Sequence, residues 1–162
     1  QSSRPIIGLQ PVEHQGSSMI QETDINTATS ERRLHGDYWA RAEDGDVELF
    51  GYTCTHCGTC YLPAIATCAA CRGKDFTRTK LSSTGELYTY TIVRGAGGVW
   101  PAEYTVGYVD YPEEKVRVCG QIRETDSAKL KVGMRVGVEQ AVLYTAADGA
   151  PVTCFRFHAL EH

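Results

Sequence analysis

Nowhere in this 162-residue chain do enough apolar residues follow one another to approach the ~20 that a membrane-spanning helix needs. Positive charge is also scarce. Sixteen Lys and Arg stand against 20 Asp and Glu, a net charge of −4, whereas generic nucleic-acid binders use a basic surplus to meet phosphates. There is no P-loop, and Gly95-Ala96-Gly97-Gly98 precedes Trp100 rather than a helix, so it reads as a barrel loop and not as a phosphate cradle. The first residues lack the charged-then-apolar pattern of a secretory signal. What remains is an ordinary globular composition, 42% apolar and 22% charged, long enough for one main core. Within it are seven cysteines, and with no secretory pattern they predict a reducing cytoplasm.

Four of those cysteines have metal spacing. Cys54-Thr55-His56-Cys57 and Cys68-Ala69-Ala70-Cys71 are two C-x-x-C pairs with ten residues between them, so two tight turns can present four thiolates to one tetrahedral ion. Gly58 suits such a turn because it tolerates positive φ. Disulfides are disfavoured, since adjacent C-x-x-C pairs make a poor disulfide arrangement. Zinc is the expected ion; a single iron, as in rubredoxin, uses the same donor set and stays open. Cys60 is expected to pack under the ribbon rather than ligate, and His56 to face solvent.

The charge is uneven. Residues 1–50 hold nine acids and four arginines, the remainder eleven acids and twelve bases, with Arg72, Lys74, Arg78 and Lys80 forming a local basic cluster. Residues 1–30 are rich in Gln, Ser and Thr and read as an extended arm that orders on a partner, or as a floppy terminus, with Met19 an alternative start. Over 31–50 a short helix from Ser30-Glu31-Arg32-Arg33-Leu34 is expected, with Leu34, Tyr38 and Ala42 on one face and Asp44-Gly45-Asp46 ending it, followed by a lead-in strand from Val47. Residues 51–80 are the ribbon. Over 81–159 five strands are predicted: Glu86 to Arg94, Tyr104 to Tyr111, Lys115 to Arg123, Arg135 to Thr145 and Pro151 to His158, with a helical turn near Ser127 to Lys131. Asp148-Gly149 marks the last turn. The fold class is therefore mainly β: an arm and short helix, a rubredoxin-like zinc ribbon, and a five-stranded OB-type barrel, with an open sheet or another small barrel as the competing topology. Leu160-Glu161-His162 read as the stump of a histidine tag.

The order of Tyr38-Trp39, the cysteines with Leu62-Pro63 between them, the barrel opening Gly85-Glu86-Leu87-Tyr88-Thr89-Tyr90, Pro101 and Tyr104, and Lys131-Val132-Gly133-Met134-Arg135 resembles a known family. These are the zinc-ribbon OB-fold proteins that accompany thiolase-like enzymes, and the match covers about residues 35 to 158. The long arm, Cys60 and Arg72-Gly73 depart from its pattern. The resemblance implies a non-catalytic, cytoplasmic subunit of a hetero-oligomer whose thiolase-like partner acts on CoA esters in thiolytic or retro-aldol cleavage. Zinc and a CoA thioester are the implied cofactor and ligand, with neither nucleic acid nor membrane as partner.

On that reading Arg72, Lys74, Arg78 and Lys80 meet the CoA phosphates, and Trp100 or Tyr104 packs near the pantetheine or the partner. The residues agree with a supporting role. Claisen-type chemistry needs an activated cysteine, a second acid or base and an oxyanion hole; Cys119, near Arg117, has no histidine placed beside it, and Cys154 reads as structural. Two other readings remain: a single-stranded nucleic-acid binder stacking bases on Tyr88 and Tyr90, and a rubredoxin-like iron carrier that colour would reveal.

Overall fold

Alternating apolar and polar residues, rich in β-branched and aromatic types, favour extended backbone through most of the chain. The structure, a computed structural model, describes residues 31–95 and 97–160; the arm over residues 1–30 lies outside them, as do Glu161 and His162. In order the strands are β1 (Arg32–Arg33), β2 (Trp39–Arg41), β3 (Val47–Cys54), β4 (Cys60–Tyr61), β5 (Phe76–Lys80), β6 (Gly85–Arg94), β7 (Glu103–Tyr111), β8 (Val116–Ile122), β9 (Arg135–Thr145) and β10 (Pro151–Ala159). Among the described residues the one helical element is a 3-10 turn, Ser127–Lys129, where the sequence predicts a turn; Asp126 caps it by accepting from the Ala128 amide.

Strands β6 to β10 form a five-stranded barrel. β6, β7 and β8 make an antiparallel meander, β9 pairs with both β6 and β10, and β10 meets β8 in parallel at Phe157 and Ile122. Counting barrel strands from β6, the closure runs 1-2-3-5-4-1, a Greek-key ring. Leu87, Val109, Val118, Val136 and Phe157 fill the interior. Gly120 is needed there: a Cβ would come 2.8 Å from the Phe157 ring and 2.9 Å from Phe155, whose rings meet edge-on at 5.7 Å.

The helix expected from Ser30 does not form. β1 instead lies parallel to β10, with Arg32 opposite Val152 and Arg33 opposite Thr153, and the chain reverses through His35 to Asp37 with His35 at φ 56°. Asp44-Gly45, read as a helix stop, turns a hairpin: Ala42 N–H donates to Asp46 O at 2.8 Å, and Trp39 on β2 comes to face Leu49 on β3. Tertiary burial of Trp39 outweighs the weak local helix preference around Gly36. The indole is 1% exposed, donates from Nε1 to Leu34 O at 2.8 Å, and lies under the Arg33 guanidinium at 4.1 Å.

Trp39, Leu49, Cys60 and Leu81 belong to the same hydrophobic cluster as the barrel interior, so the near end of the ribbon shares the barrel's core. Replacing Trp39 with alanine therefore empties the joint between them. Trp39→Ala is expected to lower stability by about 3–5 kcal/mol, read as a fall in urea midpoint with both halves unfolding earlier.

Candidate metal centre

β3 carries Cys54 at its end, and the chain then makes two turns of the same design. In the first, Gly58 N–H donates to Cys54 O and Cys54 N–H to Thr59 O, both at 2.9 Å; in the second, Arg72 N–H donates to Cys68 O and Cys68 N–H to Gly73 O, both at 2.8 Å. Gly58 and Arg72 occupy equivalent positions, and both have positive φ, 72° and 62°. Glycine takes that conformation freely; arginine takes it at a cost.

The two turns bring the Sγ atoms of Cys54, Cys57, Cys68 and Cys71 all within 4.8 Å of one another. Cys54 to Cys71 is 3.6 Å and Cys57 to Cys68 is 3.5 Å. A tetrahedral ion with metal–sulfur bonds of about 2.3 Å sets sulfurs about 3.8 Å apart, so the cluster has the size and soft donors to hold a metal ion such as zinc. Gly73 leaves room for it: a Cβ there would lie 3.3 Å from both Cys54 Sγ and Cys71 Sγ.

Groups outside the four thiols complete the site. The Tyr61 hydroxyl lies 3.3 Å from Cys68 Sγ, the Thr59 hydroxyl 3.2 Å from Cys57 Sγ, and Gly73 N–H donates to Cys71 Sγ at 3.4 Å. The Tyr61 hydroxyl is the main reason the Cys68 thiol is brought down to about 6. The Gly73 N–H acts to lower Cys71, but burial and the other three thiols outweigh it and push that group up to about 12. Because a metal replaces those protons, ion uptake becomes more favourable as pH rises. Nothing in the spacing pointed to Tyr61 or Thr59, since each contributes one hydroxyl whose target depends on how the turns fold back.

The other singled-out residues are dispersed. Cys60 is buried, pressed against Gly51, where a Cβ would sit 2.5 Å from its Sγ. His56 is exposed and faces Asp75 at 3.4 Å. Of the four bases, Arg72 and Lys74 are exposed around the second turn, whereas Arg78 lies over the Phe50 ring at 3.6 Å and Lys80 pairs with Glu48. Trp100 sits at the far end of the barrel, 4.8 Å from Tyr144 and 5.6 Å from Tyr104 between ring centres. β6 runs from the ribbon side at Gly85 to the loop bearing Trp100, so about 30 Å of strand separates the tryptophan from the basic residues. Tyr88 is 49% exposed, yet Arg117 covers one face of its ring at 3.2 Å. Tyr90 is half-buried against the core with its hydroxyl toward Leu130 O. Cys119 is exposed opposite Tyr108, and Cys154 is buried with Sγ toward Leu34 O at 3.4 Å.

A four-cysteine ribbon seated on a Greek-key barrel of five strands defines a class, the ribbon-plus-OB proteins. Residues 79–139 match the family described as the ChsH2 C-terminal OB-fold domain. A DUF35 domain-containing scaffold protein of Methanocaldococcus jannaschii is 32% identical over 118 residues, 70% of this chain and 83% of that protein. The chain belongs to the DUF35/ChsH2 OB-fold family. The benzoylsuccinyl-CoA thiolase subunit BbsA of Thauera aromatica is 29% identical over 130 residues, 78% of this chain and 88% of BbsA. Among solved structures, the Ltp2-ChsH2(DUF35) aldolase has the same fold, with a TM-score of 0.54 and 22% identity over 67% of this chain and 84% of that one.

The matched turns make a direct test of backbone strain. Arg72→Gly gives the second turn the residue that the first already has, and a gain of about 1 kcal/mol in stability of the metal-loaded protein is expected by denaturant titration. A loss of stability would show that the arginine side chain holds the turn.

Proposed function

We propose that this chain is a zinc-containing accessory subunit of a thiolase-type complex acting on CoA thioesters, in thiolytic or retro-aldol cleavage of β-oxo- or β-hydroxyacyl-CoA. The observation that carries the proposal is the similarity to a benzoylsuccinyl-CoA thiolase subunit across 88% of that subunit's length. A supporting role also suits the chemistry. Cleavage of this kind needs a base-activated nucleophile and an oxyanion hole in one pocket, and on this reading the partner supplies them. Four reduced thiols suit a cytoplasmic complex. Among the described residues no helix is long and apolar enough to cross a membrane.

Cys54, Cys57, Cys68 and Cys71 hold the zinc, which supplies a structural cross-link where the ribbon has no core of its own. Arg72 and Lys74, free of acidic partners in the ribbon, meet the CoA phosphates, with Arg78 and Lys80 behind them as the rest of a basic stripe. Trp100, stacked with Tyr104 and tilted against Tyr144, is 36% exposed, an aromatic surface of the kind that protein interfaces cover. It packs against the partner.

Purification from the native host, with mass spectrometry of bound proteins and metal analysis of the same sample, is expected to yield a thiolase-like partner in fixed ratio and about one zinc per chain. A lone chain would overturn the subunit reading. In the complex, Arg72→Gly combined with Lys74→Gln is expected to weaken CoA binding about tenfold by calorimetry; unchanged affinity would remove the phosphate assignment. Chelation of the zinc is expected to expose amides of residues 54–75 to exchange first, while β6 to β10 stay protected.

A further inference from the structure

The two hydroxyls beside the cysteine cluster are not ligands, and they are not distributed evenly. Thr59 serves Cys57 and Tyr61 serves Cys68, the two sulfurs that face each other from different turns at 3.5 Å. Cys71 receives only the Gly73 backbone N–H. A thiolate can accept but not donate, so with a metal bound both hydroxyls donate to sulfur. Four thiolates around a divalent ion leave a net charge of about −2, and donors to sulfur spread that charge and hold each ligand in place.

Tyr61 is fixed for this task by the fold. Its backbone is in β4, where pairing opposite Tyr52 of β3 places the side chain, and the Phe76 ring lies edge-on beside it at 6.2 Å and 80°. The phenol therefore reaches from the strand after the first turn to a sulfur of the second. We propose that Tyr61 is a positioning residue of the metal centre, its hydroxyl donating to Cys68 Sγ so as to lock the second turn onto the first and retain a divalent ion, while Thr59 donates to Cys57 Sγ within the first turn. The proposal rests on the four cysteines binding a metal.

The test uses the full chain loaded with cobalt(II), whose sulfur-to-metal charge-transfer band reports electron density on the thiolates. Tyr61→Phe keeps the ring and its Phe76 contact but removes the donor. The band is expected to move to longer wavelength and the affinity, measured by competition with a chelator, to fall about tenfold. Thr59→Val is expected to move the band the same way. Phe76→Leu, which removes the ring contact and leaves the hydroxyl, is expected to leave the band in place. Should Tyr61→Phe not fold, 3-fluorotyrosine at position 61, a stronger donor of nearly the same size, is expected to move the band to shorter wavelength.

A Tyr61→Phe protein with the wild-type band and affinity would overturn the role of Tyr61 while leaving the metal centre intact. An equal shift in Phe76→Leu would overturn it too, because packing alone would then explain the effect. A wild-type protein that develops no charge-transfer band would overturn both this proposal and the metal reading beneath it.

Discussion

Four sulfurs within 4.8 Å of one another stand where the far end of the ribbon would otherwise need a core. About twenty residues of turn and short strand cannot bury enough apolar area to offset the entropy of ordering them. Everything local to the ribbon serves the convergence of those sulfurs. β3 delivers Cys54, the two turns repeat the same hydrogen bonds, Gly58 takes the positive φ of the first, and Gly73 leaves room beside the sulfurs. Even the strained φ at Arg72 follows from making the second turn a copy of the first.

The near end of the ribbon is held differently. Trp39, Leu49, Cys60 and Leu81 continue the barrel interior, so the unit is anchored by apolar burial at one end and by thiolate chemistry at the other. This division explains why Cys60, three residues past a cluster cysteine, has another role: it faces the core through the gap left by Gly51. Arg72 and Lys74 lie exposed at the end remote from that shared core. Trp100, against Tyr104 and Tyr144, lies at the other end of β6 from the ribbon.

Much of this was legible in the residues. The C-x-x-C spacing named the cluster because that spacing is itself a local geometric requirement, and five of the strands were visible because runs of seven or more residues rich in β-branched and aromatic types favour extended backbone. The segment around Trp39 was not. Its local pattern fits a weak helix, and Asp44-Gly45 ends a helix or turns a hairpin equally well. Burial against Leu49 and pairing with β10 decide it, and both partners are distant in the chain or unspecified by periodicity. The contacts of the basic residues were hidden for a related reason: Arg78 lies over Phe50 and Lys80 pairs with Glu48, both partners lying across the sheet and distant in the chain.

By itself the sequence determined the class of chain: four thiols paired for one ion, a strand-rich second half, no basic surplus and no apolar span. Those properties depend on spacing and composition, which act over a few residues and survive any arrangement of the elements. Only the tertiary structure decided that the first strand joins β10 and that Tyr61 reaches Cys68. It likewise decided that Tyr90 turns inward and that Trp100 stands far from the bases. Each of these depends on which surfaces meet when the ring of strands closes, a global packing choice that no single window of residues encodes.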